Sequence, residues 1–66
     1  MRALITGASG FAGGWLCREC AAAGDQVIAL SRRGTAPAGT GVAVDLRDAE
    51  AVADALARAA PEVVYH

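Results

Sequence analysis

Between Leu4 and Leu16 the chain reads LITGASGFAGGWL, with four glycines in the ten positions from Gly7 to Leu16. An apolar run, Ala3-Leu4-Ile5, leads into the glycines, and residues that favour a helix extend from about Phe11 to Ala23. Glycine inside a strand or helix costs about 1 kcal/mol relative to alanine. A junction this rich in glycine therefore implies that bare backbone is needed at Gly7, Gly10 and Gly13. No other feature restricts the fold as strongly. A buried strand, a glycine turn and a helix open a parallel α/β unit, and the helix N-terminus faces the carboxyl end of the strand.

The rest of the chain agrees with that opening. Gly24 is a stop signal for the first helix, and Val27-Ile28-Ala29-Leu30 forms a second apolar run. SRRGTAPAGTG, residues 31–41, reads as loop from its Gly and Pro punctuation. Val42-Ala43-Val44 reads as a short third strand. Asp48 is a good helix N-cap, and Val52, Ala55, Leu56 and Ala59 fall on one face of the helix that follows it. Asp54 and Arg58, four apart, can pair on that helix. Val63-Val64-Tyr65 begins a fourth strand after Pro61. Alternation of this kind predicts a parallel α/β sheet with right-handed crossovers. The link between the second and third strands is short for a helical crossover, so an extended or single-turn connection is expected there.

Composition narrows the class. The 66 residues are 55% hydrophobic and carry a net charge of −1, which argues for a folded chain of at most one domain. Much of the apolar content is alanine, and there is one residue each of Phe, Trp and Tyr. A chain this short buries only about 60% of its extended surface, so residues 1–66 read as half of a larger core. No basic run exceeds Arg32-Arg33, and the electrostatic footprint of a nucleic-acid binder is missing. No segment approaches the ~20 apolar residues of a membrane span. The polar glycine loop beginning at Thr6 does not read as a signal peptide. A soluble cytoplasmic protein is the expectation.

In a parallel sheet, ligands bind at the carboxyl ends of the strands. Those ends are Thr6-Gly7, Ser31-Arg32, Asp45-Leu46 and Tyr65-His66, so the least ordinary residues gather on one rim. The loop from Gly7 to Gly13 leads into a helix N-terminus with unpaired N–H groups and partial positive charge. A pyrophosphate fits there. Gly7 would make the tight turn, Gly10 would let the pyrophosphate approach, and Gly13 would let the helix pack closely. A nucleoside-triphosphate P-loop requires GxxxxGK[ST], and the chain contains no lysine.

TGASGFAGGWL fits TGxxGxxG and resembles the short-chain dehydrogenase/reductase superfamily. The phenylalanine after the second glycine is similar to its extended branch, the NAD(P)-dependent epimerase/dehydratase family. VDLRD, residues 44–48, resembles that branch's segment after the third strand, and PEVVYH, residues 61–66, resembles the start of its fourth-strand motif. The resemblance implies a Rossmann-type α/β fold, of which residues 1–66 are the N-terminal half: four strands in the order 3-2-1-4, with two helices. It implies that Gly7, Gly10 and Gly13 form the phosphate loop, with Ser9, Phe11 and Ala12 lining the pyrophosphate. It implies that Asp45 accepts from the adenine amino group and that Leu46 borders the adenine ring. The family's catalytic Ser/Thr and Tyr-x-x-x-Lys lie farther downstream. Tyr65, followed by one residue in a chain without lysine, does not match that motif. The intact protein would pass a hydride between the nicotinamide and a carbon of a nucleotide sugar. The alternatives are a non-catalytic dinucleotide-binding regulator and an inactive fragment. The fourth strand would present an apolar edge able to pair with a second copy, and a homo-oligomer is expected.

A carboxylate at the end of the second strand commonly grips the ribose 2′-hydroxyl of NAD, whereas arginine suits a 2′-phosphate. Asp25 precedes that strand, and the next acidic residue is Asp45. Ser31-Arg32-Arg33 occupies the relevant position, and guanidinium forks match phosphate in geometry and charge. NADP is favoured, with NAD left open. Cys17 and Cys20 form C-x-x-C, but they lie past the helix N-terminal turn that would stabilise a thiolate. Two cysteines also under-fill a tetrahedral zinc site, so they read as reduced helix thiols. His66 reads as a rim residue and Trp15 as helix surface or packing.

Overall fold

The computed structural model describes residues 1–66. Its elements run β1 (Arg2–Thr6), α1 (Phe11–Ala22), β2 (Gln26–Ser31), β3 (Thr40–Ala43), α2 (Ala49–Ala59) and β4 (Val63–Tyr65). The four strands form one parallel sheet in the order β3-β2-β1-β4. This is the expected α/β arrangement, with β1 in the interior and the chain reversing its winding direction between β1 and β4.

Alternation along the strands decides which side chains each helix covers. Ile5, Val27 and Ala29 face α1 and pack with Ala8, Cys17 and Cys20. Leu4 and Leu30 face the other way and pack with Val44 and Ala55 of the α2 layer. The register is consistent with this division, since Ile5 pairs with Ala29 and Leu4 with Ile28. The core is thus two thin apolar layers on either side of a shared sheet.

The helix ends follow their local chemistry. Asp48 caps α2, its carboxylate accepting from the Ala51 N–H at 3.1 Å. The chain leaves α1 through Ala23 and a left-handed Gly24. It leaves α2 through Ala60, also left-handed, whose carbonyl accepts from Arg2 Nε at 2.8 Å. Arg2 also donates its backbone N–H to Glu62 Oε1 at 2.9 Å, so β1 and the entry to β4 are clasped together.

Several boundaries differ from the sequence reading: β1 also takes in Arg2 and Thr6, and β2 also takes in Gln26. Helix α1 ends at Ala22, with Ala23 as its cap. Ser31 belongs to β2, not to the loop. Strand β3 covers Thr40–Ala43, not Val42–Val44, because Thr40 to Ala43 pair in register with Ile28 to Ser31. Val44 lies just past the strand, buried, with its N–H donating to the Ser31 carbonyl at 2.8 Å. Apolarity marked Val44 for burial, but burial there does not need a ladder position. The β2–β3 connection has no helix, as expected, and Ala36 and Ala38 from it cover the α1-side core.

Candidate functional site

Parallel pairing brings Gly7, Arg32, Asp45 and His66 to one rim. The β1–α1 loop is its centre. Gly7 has φ +63°, a left-handed conformation that suits glycine. The turn closes when the Gly10 N–H donates to the Gly7 carbonyl at 3.0 Å. Gly13 is buried, and a Cβ there would collide with the Gly7 carbonyl and stand 3.0 Å from Ala8 Cα. The third glycine therefore allows the helix to rest on the loop itself. Gly10, at φ −81° and ψ 170°, is in an extended conformation open to any residue, so its lack of a side chain reflects space and not strain.

Gly10 supplies no side-chain cap to α1, and the first turn holds no acidic residue. The N–H groups of Phe11, Ala12 and Gly13 make no backbone hydrogen bond. Three donors and the positive end of the helix dipole thus lie together at a bare loop. Chemically, that combination is able to hold an anion such as a diphosphate. Ser9, Gly10, Phe11 and Ala12 are exposed around it, and Phe11 is 93% exposed.

Two clefts adjoin this loop. One, of about 370 Å³, is lined by Ser9, Arg32, Arg33 and Thr35. The other, of about 440 Å³, lies between the loop residues Ser9, Gly10 and Phe11, the helix residue Arg18, and Thr35 to Pro37. They share Ser9 and Thr35, so the chain after β2 folds back onto the glycine loop. Ser31 is buried and its hydroxyl donates to the Thr35 carbonyl at 3.3 Å, tying this return together. Arg32 and Arg33 are exposed and face the smaller cleft. Thr35 and Arg18 were not anticipated, because nothing local in the sequence connects either of them to Ser9.

Asp45 and Leu46 follow β3 on the same rim, and Leu46 is 46% exposed. Arg47 grips the Asp45 carboxylate with Nε at 3.1 Å, Nη2 at 2.9 Å and its own N–H at 3.0 Å. The side-chain bonds foremost, then the backbone bond, hold the Asp45 carboxyl down at about 2. On the other side of the rim, Thr6 Oγ1 lies 2.9 Å from His66 Nδ1, joining the ends of β1 and β4. Trp15 is half exposed on α1. Cys17 and Cys20 are free and buried, and burial pushes the Cys17 thiol up, away from thiolate character. No helix is long and apolar enough to cross a membrane.

A search of curated proteins finds no match. Among solved structures, the chain is similar to a protein from Burkholderia cenocepacia J2315 assigned as an epimerase. The two are 37% identical with a TM-score of 0.83 over 96% of this chain. The match spans 23% of that protein, so this chain covers about a quarter of its length. The family model for the NAD dependent epimerase/dehydratase family matches residues 3–66, and that family implies a nicotinamide dinucleotide cofactor. The bare cradle at Gly10 and Gly13 and the unpaired N–H groups beside it fit such a group. With the family model matched over residues 3–66 and the strand order in agreement, the chain belongs to the NAD dependent epimerase/dehydratase family.

Proposed function

We propose that residues 1–66 form the NADP(H)-binding, N-terminal half of a Rossmann domain in an oxidoreductase, epimerase or dehydratase of nucleotide sugars. The observation that carries this reading is the set of unpaired N–H groups at Phe11, Ala12 and Gly13, set beside a cleft lined by Ser9, Arg32, Arg33 and Thr35. The first feature suits a diphosphate. The second suits a further phosphate within reach of the same ligand, which separates NADP from NAD. When bound, the cofactor supplies hydride transfer.

In this reading Gly7, Gly10 and Gly13 shape the phosphate loop, and Ser9, Phe11 and Ala12 line it. Arg32 and Arg33 take the 2′-phosphate, with Ser31 holding their loop in place. Asp45 accepts from the adenine amino group and Leu46 borders the ring. The groups that bind the sugar and move its proton lie outside these residues, a division that the one-quarter coverage of the Burkholderia protein supports.

Titration of the protein with NADPH and NADH tests the reading. The expected result is at least tenfold tighter binding of NADPH, with the difference shrinking as salt screens the arginines. Equal affinity for the two would leave a dinucleotide site without the proposed phosphate pocket. Absence of binding by either would overturn the reading as a whole.

A further inference from the structure

The Asp45–Arg47 pair is arranged in more detail than stability requires. The two side chains are 41% and 78% exposed, and an ion pair at such a surface contributes little to folding. Yet Arg47 spends a two-pronged fork and its own backbone N–H on one carboxylate. The main chain on either side is fixed as well. Val44 is anchored in the core and to the Ser31 carbonyl, and the Asp48 N–H donates to the Asp45 carbonyl at 2.9 Å.

An ionised carboxylate has about four acceptor positions. Here Oδ1 receives two donors and Oδ2 receives one. One acceptor position on Oδ2 is therefore left, in a carboxylate that cannot rotate without breaking the fork. Leu46, the next residue in the chain, is exposed and has an apolar side chain to offer a flat ring. A purine with a 6-amino group presents a donor to that remaining position. A purine with a 6-oxo group presents an acceptor, and two acceptors facing each other repel.

We propose that Arg47 is a positioning residue that fixes the Asp45 carboxylate so that its free Oδ2 position selects a 6-aminopurine over a 6-oxopurine. The inference rests on the reading, given above, that Asp45 meets the adenine of a dinucleotide. Arg47 acts only through Asp45 and itself touches no ligand. Lysine would not substitute for it, since a single ammonium group cannot fork across both oxygens.

The test compares NADP with its hypoxanthine analogue, in which the 6-amino group is replaced by oxygen. Both carry the same phosphates, so the ratio of their dissociation constants cancels any general change in surface charge. Calorimetric titration of the full chain is expected to give a ratio of about ten or more in favour of adenine. Asp45→Ala should bring the ratio to about one. Arg47→Ala and Arg47→Lys should both reduce it to about threefold or less, with circular dichroism unchanged because Arg47 is exposed. A wild-type ratio retained in both Arg47 variants but abolished in Asp45→Ala would overturn the inference and leave the role of Asp45 standing. A wild-type protein that binds NADP without preferring it to the analogue would overturn the role of Asp45, and this inference with it.

Discussion

The Cβ direction of Gly13 points into the carbonyl group of Gly7, and a methyl group there would stand 2.7 Å from the carbonyl carbon. The obstacle is backbone at a left-handed turn, so it cannot yield as a flexible side chain does. Gly13→Ala is therefore expected to push α1 off the loop, at a cost of about 1–3 kcal/mol typical of overpacking. Gly7→Ala meets no neighbour within 4 Å but must hold φ +63°, costing about 1–2 kcal/mol. Denaturant unfolding should find both variants less stable than wild type. A Gly13→Ala protein of unchanged midpoint would show that the helix does not rest on the loop as described.

Gly10→Val separates folding from binding. The Gly10 backbone is extended, and a Cβ would lie 3.3 Å from the Gly7 oxygen, so a small adjustment accommodates it. The branched side chain would then occupy the approach to the Phe11, Ala12 and Gly13 N–H groups. Cofactor affinity should fall at least tenfold, about 1.4 kcal/mol, while the circular dichroism spectrum stays close to wild type. Normal folding with full affinity would remove the loop from the phosphate site.

Arg32 and Arg33 line the smaller cleft with Ser9 and Thr35. Replacing both by alanine should weaken NADP binding by about 1.5–3 kcal/mol for each charge-assisted hydrogen bond removed. NAD, lacking the 2′-phosphate, should bind almost as before. The comparison is best made at low ionic strength, where exposed charges act over longer distances. Equal losses for the two cofactors would refute the pairing.

Asp45 should remain ionised far into acid. Its carboxyl is held down to about 2, first by the Arg47 side chain and then by the Arg47 backbone N–H. Because the folded value is lowered, the Asp45–Arg47 ion pair is complete above the ordinary carboxylate range and breaks as pH falls through about 2. Arg47→Ala should let the carboxyl titrate closer to its ordinary range, as followed by its carbonyl carbon chemical shift. A titration midpoint unchanged by that substitution would assign the shift to another cause.

The α/β class, the glycine loop, the Asp48 cap and the place of β4 were legible in the residues, and the strand order 3-2-1-4 in their resemblance. The class, the loop and the cap rest on interactions within a few residues: glycine at a turn, a cap three residues from its donor, apolar runs bounded by breakers. Tertiary structure decided what depends on partners distant in the chain. Thr40 and Gly41 joined β3 only because Ile28 and Ala29 stand opposite them. Thr35 reached Ser9 only because the β2–β3 segment folds back over the loop. Thr6 met His66 across a separation of 60 residues. The Asp45–Arg47 fork spans only two residues, yet it depended on the fold in another way. Both residue types were visible, but whether two exposed side chains clasp each other or turn to solvent depends on how the surrounding backbone aims them. Here the buried Val44 and its bond to Ser31 anchor the chain on the Asp45 side, and that anchor exists only in the folded sheet.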